Sequence, residues 1–482
     1  MTTSVVKAAV AAVVTTLVGS ALLACGSPAR GFEVATRLDW RPCGMGLQDH
    51  PVECANLKVP LDWSNPGGET IRLAIGRQRA TGERTGSMVI LPGGPGVSGF
   101  DILRANGIPW LMPESFRQNF DVVSFDPRGI GASVPTVQCP VDPSSIAQPR
   151  TEAEFDALVQ RNKDYFAGCR KDTGPLMDHL DSVSTARDID AIRIALGEPK
   201  LTSYGGSYGT MYGTTYLETF PNNTRAIVLD GVVDHSLDVS GLALRTARSY
   251  EVSFDRFVAW CNESPDCALH GTDVSALFQS LLARAPLPAP GAPRGASVED
   301  IREAVRNGLS RGFLPGSDAG WPTLAVLLKQ ADSGDATNLL IPPDQHIVGI
   351  FRGVVCADFS RPSNWTEMSK AAERAKAAPR FGEFTFWDVA GGCLGWGKSP
   401  ADPPHTLKIG SSPNVQVANP FFDPETPLVS AMALAAQIPD SAFMITNADG
   451  HLSILRSDCA MAAATKFLSD PTSSPRFITC PR

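Results

Sequence analysis

Apolar stretches with strand-like spacing recur through the first half of the chain. Ile71–Arg77 alternates apolar and polar residues, whereas Met88–Leu91 and Phe120–Phe125 are mostly apolar, as in strands buried on both faces. Thr185–Leu196 has apolar residues at helical spacing and is followed by Gly197, a residue type that commonly ends helices. Strand and helix patterns therefore alternate, which predicts an α/β fold with a mostly parallel sheet flanked by helices.

The alternation stops near His235 and returns only in the last part of the chain. Residues 236–405 have mainly helical patterns, and strand patterns reappear at Asn414–Asn419 and Ser441–Thr446. We interpret the helical block as a cap inserted over the sheet; a second domain with its own role is the alternative. The expected organisation is a signal peptide (1–24), an N-terminal segment (25–70), the core (71–235 and 406–482) and the cap (236–405).

The first 25 residues resemble a secretion signal. Lys7 precedes an apolar run from Ala8 to Ala24, which ends in Leu22-Leu-Ala-Cys25. That tetrapeptide resembles the bacterial lipobox, whose cysteine is acylated and becomes the new N-terminus. The sequence thus predicts a lipoprotein anchored to the cell membrane through Cys25 and facing an extracytoplasmic space; an ordinary signal peptide or a short membrane anchor is the alternative.

Charge and cysteine content limit the possible partners and compartment. The 482 residues have a formal net charge of -8 and no basic clusters, which argues against nucleic acid binding. Without Cys25, ten of the 11 cysteines remain, an even number that suits an oxidising compartment. Connectivity does not follow from sequence, but proximity suggests Cys43–Cys54, Cys139–Cys169, Cys261–Cys267, Cys356–Cys393 and Cys459–Cys480. No C-x-x-C or H-E-x-x-H motif is present, so we expect no metal and no cofactor.

The strongest chemical signal is a serine at a strand-to-helix junction. A strand pattern at Leu201–Tyr204 meets Gly205-Gly-Ser207-Tyr-Gly209, and a helical pattern follows. This is the G-x-S-x-G nucleophile elbow, in which a strained turn exposes the serine hydroxyl. Gly308-Leu-Ser310-Arg-Gly312 also matches, but it follows a charged helical pattern, so we expect Ser310 to be a helix-end residue.

A serine nucleophile needs a base and an acid, which follow it in the chain order Ser, Asp/Glu, His. His451 is the one histidine after the final strand pattern, and Asp423 follows the strand pattern before it. We therefore predict a Ser207–Asp423–His451 triad. Asp230, Glu425 and Asp449 are rival candidates for the acid.

Two further glycine-containing turns follow strand patterns, one after Leu91 and one after Phe125. The backbone N–H groups of Tyr208 and Gly94, the latter within Gly93–Gly96, are the predicted oxyanion hole. Asp126 and Arg128 belong to an Asp-Pro-Arg-Gly turn. We expect these two to form a local ion pair that shapes the loop.

These motifs together resemble the tripeptidyl-aminopeptidase-like branch of the α/β-hydrolases, relatives of the prolyl iminopeptidases. The matching segments are Gly93–Gly96, Asp126–Ser133, Gly205–Gly209, Leu229–Gly231, Asp423–Pro427 and Gly450-His451. The tail with Cys459 and Cys480 is similar to the family's C-terminal module. The resemblance implies a serine peptidase that acts from the peptide N-terminus through an acyl-enzyme. Some members are described as carboxylesterases, and several are secreted or lipid-anchored.

The resemblance is incomplete at the substrate site. Pro92 and Tyr208 replace the usual histidine and tryptophan of prolyl iminopeptidases, so a proline-specific pocket is not expected. Cleavage from a free N-terminus calls for a carboxylate that binds the ammonium group, and Asp358 is a candidate; a surface aspartate is the alternative. A carboxylesterase and a catalytically silent binding lipoprotein are the alternative functions.

Overall fold

The computed structural model describes residues 32–47, 50–104, 114–141, 148–312, 320–340, 345–397, 399–409 and 414–482. The expected signal peptide and Cys25 lie outside these residues. Within the described ranges, no helix has both the length and the apolar character required to cross a bilayer.

A single ten-stranded sheet organises the molecule, in the order β1-β2-β3-β5-β4-β6-β7-β8-β9-β10. Neighbouring strands are antiparallel along β1-β2-β3-β5 and parallel along β5-β4-β6-β7-β8-β9-β10. The predicted α/β fold is therefore confirmed. The strands are β1 Arg41–Leu47, β2 His50–Pro60, β3 Thr70–Gln78, β4 Gly86–Leu91, β5 Phe120–Phe125, β6 Leu201–Gly206, β7 Thr224–Asp230, β8 Val415–Phe422, β9 Ala442–Asp449 and β10 Phe477–Cys480.

Helices cover both faces of the sheet. Successive side chains of a strand point to opposite faces, so Val89 and Leu91 of β4 pack with one helical layer and Met88 and Ile90 with the other. The first layer includes α3, α4 and α5, and the second includes α2 and α14. The helices outside the insertion are α1 Gly99–Arg104, α2 Glu114–Arg117, α3 Glu152–Thr173, α4 Ser182–Ala195, α5 Gly209–Thr219, α13 Leu428–Gln437 and α14 Asp458–Ser469.

The N-terminal segment contains strands of the sheet, although Pro42, Pro51 and Pro60 lie within it. Strands β1 and β2 extend the sheet, and β2 pairs with β3 from Glu53 to Pro60. Proline is compatible with strands at a sheet edge or strand end, where its missing N–H is not needed. The core sheet thus begins before residue 71.

The insertion leaves the sheet uninterrupted, because β7 and β8 on either side of it pair directly. Part of it has its own apolar core around Phe254, Phe257 and Trp321. Val354 and Phe359, by contrast, belong to the core beneath the sheet. Its helices are α6 Val239–Glu263, α7 Val274–Arg284, α8 Val298–Arg311, α9 Trp321–Asp332, α10 Gln345–Asp358, α11 Trp365–Ala375 and α12 Gly382–Phe386.

Five disulfides join neighbouring elements of the chain. They follow the pairs suggested by sequence proximity: Cys43–Cys54, Cys139–Cys169, Cys261–Cys267, Cys356–Cys393 and Cys459–Cys480.

Candidate active site

Ser207 lies in a strained turn between β6 and α5. Its φ is 56°, in the left-handed region that residues other than glycine rarely adopt. The flanking glycines make this turn possible. A methyl group on Gly209 would lie 2.2 Å from the Leu91 carbonyl oxygen, and one on Gly205 would lie 2.6 Å from the Gly209 carbonyl oxygen. The Ser207 N–H donates to the Asp230 carbonyl at 2.9 Å, which ties the turn to β7.

Asp423 and His451 come together at the ends of adjacent strands β8 and β9. The His451 Nδ1 atom lies 2.8 Å from Asp423 Oδ2, and the aspartate is fully buried. Asp423 also accepts hydrogen bonds from the backbone N–H groups of Glu425 and Thr426 and from the Thr426 hydroxyl, at 2.9, 2.9 and 3.0 Å. The arrangement fixes the carboxylate so that it can orient the imidazole.

Thr426 is a site residue that the sequence reasoning missed. Its Oγ1 atom lies 3.1 Å from His451 Nδ1 as well as 3.0 Å from Asp423 Oδ2. The available signal was the Asp-x-x-Thr spacing, because an aspartate side chain often caps the backbone two or three residues later.

The second imidazole nitrogen, Nε2 of His451, is buried and makes no hydrogen bond to the described part of the chain. The ring rests against the turn that anchors Ser207, because a methyl group on Gly231 would lie 3.0 Å from His451 Cε1. Asp230, the preceding residue, accepts the Ser207 N–H. Catalytic hydrogen bonds are often formed only when substrate is bound, so an Nε2 atom without a hydrogen bond beside the elbow suits a general base.

The Glu425 side chain lies close to this nitrogen. Its Oε2 atom lies 3.6 Å from His451 Nε2, and its side chain is 38% exposed. Burial lowers the pKa of His451, but the charges of Asp423 and Glu425 outweigh burial and raise this pKa to about 9. Glu425 therefore places a second negative charge at the mouth of the site.

The other two rivals for the acid have different partners. Buried Asp230 accepts the N–H groups of Ser453 and Ile454 at 2.9 and 3.1 Å and the Tyr204 hydroxyl at 3.0 Å. It thereby holds the loop that follows His451, and burial raises its pKa. Asp449 forms an ion pair with Arg256 of α6.

The loop that carries Gly94 packs against the nucleophile turn. A methyl group on Gly93 would lie 3.1 Å from Ser207 Cβ and 3.0 Å from the Gly206 carbonyl oxygen. Gly94 has a φ of 103°, a conformation that strongly favours glycine. Tyr208, the second expected oxyanion donor, directly precedes helix α5.

Asp358 does not fit the role of an ammonium-binding residue, and it is not a surface aspartate either. It is 4% exposed, and its oxygens accept the Ser182 N–H, the Ser182 hydroxyl and the Tyr208 hydroxyl at 2.7, 2.6 and 2.7 Å. Burial raises its pKa to about 7, against the opposing effect of these donors. The expected role is therefore corrected: Asp358 links α10 and α4 to the elbow.

The expected ion pair between Asp126 and Arg128 is also wrong. Arg128 forms a buried ion pair with Asp188 at 2.7 Å. Asp126 instead accepts the Ser98 hydroxyl at 2.6 Å and the Ala132 N–H at 2.7 Å. Both side chains hold the loop after β5 in place, Arg128 through α4 and Asp126 through Ser98, which follows the loop that carries Gly94.

The insertion contacts the site through the segment of the second G-x-S-x-G match. Ser310 lies in the last turn of α8, as expected, and its carbonyl accepts the His451 N–H at 2.8 Å and Arg456 Nη2 at 3.0 Å. On the oxyanion side, a methyl group on Gly96 would lie 3.2 Å from Ile350 Cγ2 of α10. The helical insertion therefore touches both His451 and the loop that carries Gly94.

Comparison with known proteins agrees with this geometry. Residues 86–315 match the alpha/beta hydrolase fold family, and residues 378–480 match the TAP-like protein family. The chain is 29% identical to serine protease Hip1 of Mycobacterium tuberculosis, over 98% of this chain and 96% of that protein. It is 30% identical to carboxylesterase B of the same species, over 93% and 90% of the two chains. It is 28% identical to tripeptidyl aminopeptidase of Streptomyces lividans, over 94% and 89%. The chain belongs to the TAP-like branch of the α/β-hydrolases and is a serine hydrolase.

Proposed function

We propose that the hydrolase is an aminopeptidase that releases short N-terminal fragments through an acyl-enzyme on Ser207. His451 Nε2 takes the hydroxyl proton as Ser207 Oγ attacks the scissile carbonyl carbon. Asp423 accepts the Nδ1–H and stabilises the imidazolium that results. The imidazolium then protonates the leaving amine, and a water molecule activated by the same ring hydrolyses the ester.

The carbonyl oxygen becomes negatively charged in the tetrahedral intermediate. The N–H groups of Tyr208 and Gly94 are the proposed donors to this oxygen, and helix α5 begins at Gly209 with its positive end nearby. The contact between Gly93 and Ser207 supports this role, because it brings the oxyanion loop directly against the nucleophile.

The position of Glu425 favours substrates that have a free N-terminal ammonium group. Its partly exposed carboxylate lies 3.6 Å from His451 Nε2, whereas Asp358 is occupied by other donors. We assign the substrate ammonium group to Glu425, because a charge-assisted hydrogen bond to a carboxylate gives both affinity and orientation.

A matched set of substrates tests the assignment. Aminoacyl, dipeptidyl and tripeptidyl amides are compared with their N-acetylated forms, using wild type and Glu425→Gln. The proposal predicts that acetylation lowers kcat/KM of the wild type by at least tenfold and that the variant loses most of this preference. Equal rates on free and blocked peptides would rule out aminopeptidase action.

Carboxylesterase activity is the second candidate. It is favoured by the similarity to carboxylesterase B, the one of these three relatives with 30% identity. An uncharged short-chain ester has no ammonium group and does not need Glu425. An esterase would hydrolyse such esters faster than any free peptide, with little effect of Glu425→Gln.

We further propose that the mature enzyme is a bacterial lipoprotein on the outer face of the cell membrane. The Leu22-Leu-Ala-Cys25 sequence supports acylation of Cys25, and the five disulfides suit an oxidising compartment. Metabolic labelling with a clickable fatty acid should modify the wild type and not Cys25→Ala. Incorporation that survives the substitution would exclude this anchor.

A further inference from the structure

A cluster of metal-ligating side chains lies where the insertion joins the core. His235, Asp402 and His405 each direct one ligand atom into a common space, and these atoms all lie within 4.8 Å of one another. His235 follows β7 at the start of the insertion, and the two others lie at its end. A backbone hydrogen bond of 3.1 Å from His405 N–H to the His235 carbonyl joins the segments at the two ends of the insertion.

We propose that His235, Asp402 and His405 form a binding site for a divalent transition metal of the zinc type. Two imidazoles and a carboxylate form a donor set that Zn²⁺ accepts, with the fourth position left for water. Tetrahedral bonds of about 2.1 Å separate neighbouring ligand atoms by roughly 3.4 Å. His405 Nδ1 and Asp402 Oδ1 are 3.5 Å apart, so this edge of the site is already close to the required geometry.

Each histidine also has the outer partner that metal-binding imidazoles usually have. The Nε2 atom of His235 lies 2.9 Å from the Asp358 carbonyl oxygen, and Nε2 of His405 lies 3.0 Å from Glu218 Oε2. When these Nε2 atoms donate to their acceptors, the lone pairs of both Nδ1 atoms become available to a metal. His405 Nδ1 also lies 2.9 Å from the Pro403 carbonyl oxygen, an acceptor for its proton before the metal replaces it.

The site combines a firm scaffold with access from solvent. His235 is 6% exposed, and its ring packs edge-on against Phe359. The side chains of His405 and Asp402 are 29% and 31% exposed, so an ion can enter without unfolding. Glu218 belongs to α5, the helix that starts at the nucleophile elbow. A bound metal would therefore join both ends of the insertion to the helix behind Ser207.

Zinc titration of the full-length protein, after treatment with a chelator, tests the site. Isothermal titration calorimetry should give one Zn²⁺ per chain, and Co²⁺ should give the visible absorption of a tetrahedral site. Asp402→Asn and His405→Gln should each weaken binding at least tenfold, and Glu218→Gln should weaken it about tenfold through its outer-partner role. His270→Gln is the matched control, because this exposed histidine bonds to the Cys261 carbonyl outside the cluster.

Two results would overturn the proposal. One is the absence of stoichiometric Zn²⁺ uptake by wild type that is folded by circular dichroism. The other is uptake that Asp402→Asn and His405→Gln leave unchanged, which would identify an adventitious surface ion. Labelling of Ser207 by a fluorophosphonate is measured in parallel with and without chelator. The metal is not part of the proposed serine chemistry, so this labelling tests the hydrolase mechanism independently of the metal site.

Discussion

The Tyr208 hydroxyl donates a hydrogen bond of 2.7 Å to Asp358 Oδ2. Tyr208 directly follows the nucleophile, and Asp358 ends α10 of the insertion. The backbone N–H of Tyr208 is proposed to stabilise the oxyanion. The side chain of the same residue is thus bound to the insertion. Movement of α10 would be transmitted directly to the elbow.

Tyr208→Phe removes this link and leaves the two Ser182 donors to Asp358 in place. We expect a loss of about 1–3 kcal/mol in the free energy of unfolding and a lower kcat with little change in KM. The control is Tyr216→Phe. Tyr216 lies in α5, the helix that follows the elbow, and the substitution removes its 2.9 Å hydrogen bond to Asp190 of α4. Urea denaturation and steady-state kinetics should show lost stability in both variants but lost kcat only in Tyr208→Phe. Equal kcat in both would contradict the link.

Thr426→Val keeps the side-chain shape but removes the hydroxyl that donates to Asp423. A hydrogen bond to a charged group contributes about 1.5–3 kcal/mol, so kcat should fall roughly tenfold to a hundredfold as the Asp423–His451 pair loses its orientation. Thr219→Val serves as the control, since its hydroxyl bonds to the Thr215 carbonyl within α5. Unchanged kcat in Thr426→Val would show that the backbone N–H donors to Asp423 suffice.

The pH profile reports the charge of His451. The base acts only as neutral imidazole, and its pKa is raised to about 9, so kcat/KM should rise as the pH increases through this value. Glu425→Gln removes one of the charges that raise this pKa, and the acid limb should move to lower pH. Asp332→Asn, which alters an exposed carboxylate paired with Arg284, should leave the limb in place. A limb that does not move in Glu425→Gln would mean that Glu425 does not act on the base.

Gly93→Ala tests the close packing of the oxyanion loop. The new methyl group would meet Ser207 Cβ and the Gly206 carbonyl at about 3 Å, so the loop must shift away from the elbow. Loss of one oxyanion donor typically lowers kcat by about 10²–10³-fold, and we expect a loss of this order without global unfolding. Gly86→Ala is the control, because its methyl group would meet only the Glu198 side chain, at 3.4 Å. Near-wild-type kcat in Gly93→Ala would place the oxyanion donors elsewhere.

Local patterns were sufficient to predict the central strands of the sheet, though not β1 and β2, and the relation between Asp423 and His451. The nucleophile elbow requires glycines because backbone atoms crowd it, and chain order assigns the base and acid to the ends of the last parallel strands. These constraints act over a few residues or through the order of the strands. They are therefore visible in the sequence. The five cysteine pairs were suggested only by their proximity along the chain, since connectivity does not follow from sequence.

Contacts between distant segments could not be predicted in the same way. Arg128 binds Asp188 rather than its neighbour Asp126, because the chain brings α4 against that loop. Asp358 is buried against Ser182 and Tyr208, which only the packing of α10 determines. The cluster of His235, Asp402 and His405 likewise joins two ends of the insertion, and His235 is distant from the other two along the chain.

Mapping the site of a fluorophosphonate probe by mass spectrometry tests the proposed triad most directly. We predict one label per chain on Ser207, none in Ser207→Ala, and a labelling rate at least a hundredfold lower in His451→Ala. A label on another serine, or a rate that His451→Ala leaves unchanged, would contradict the proposed triad.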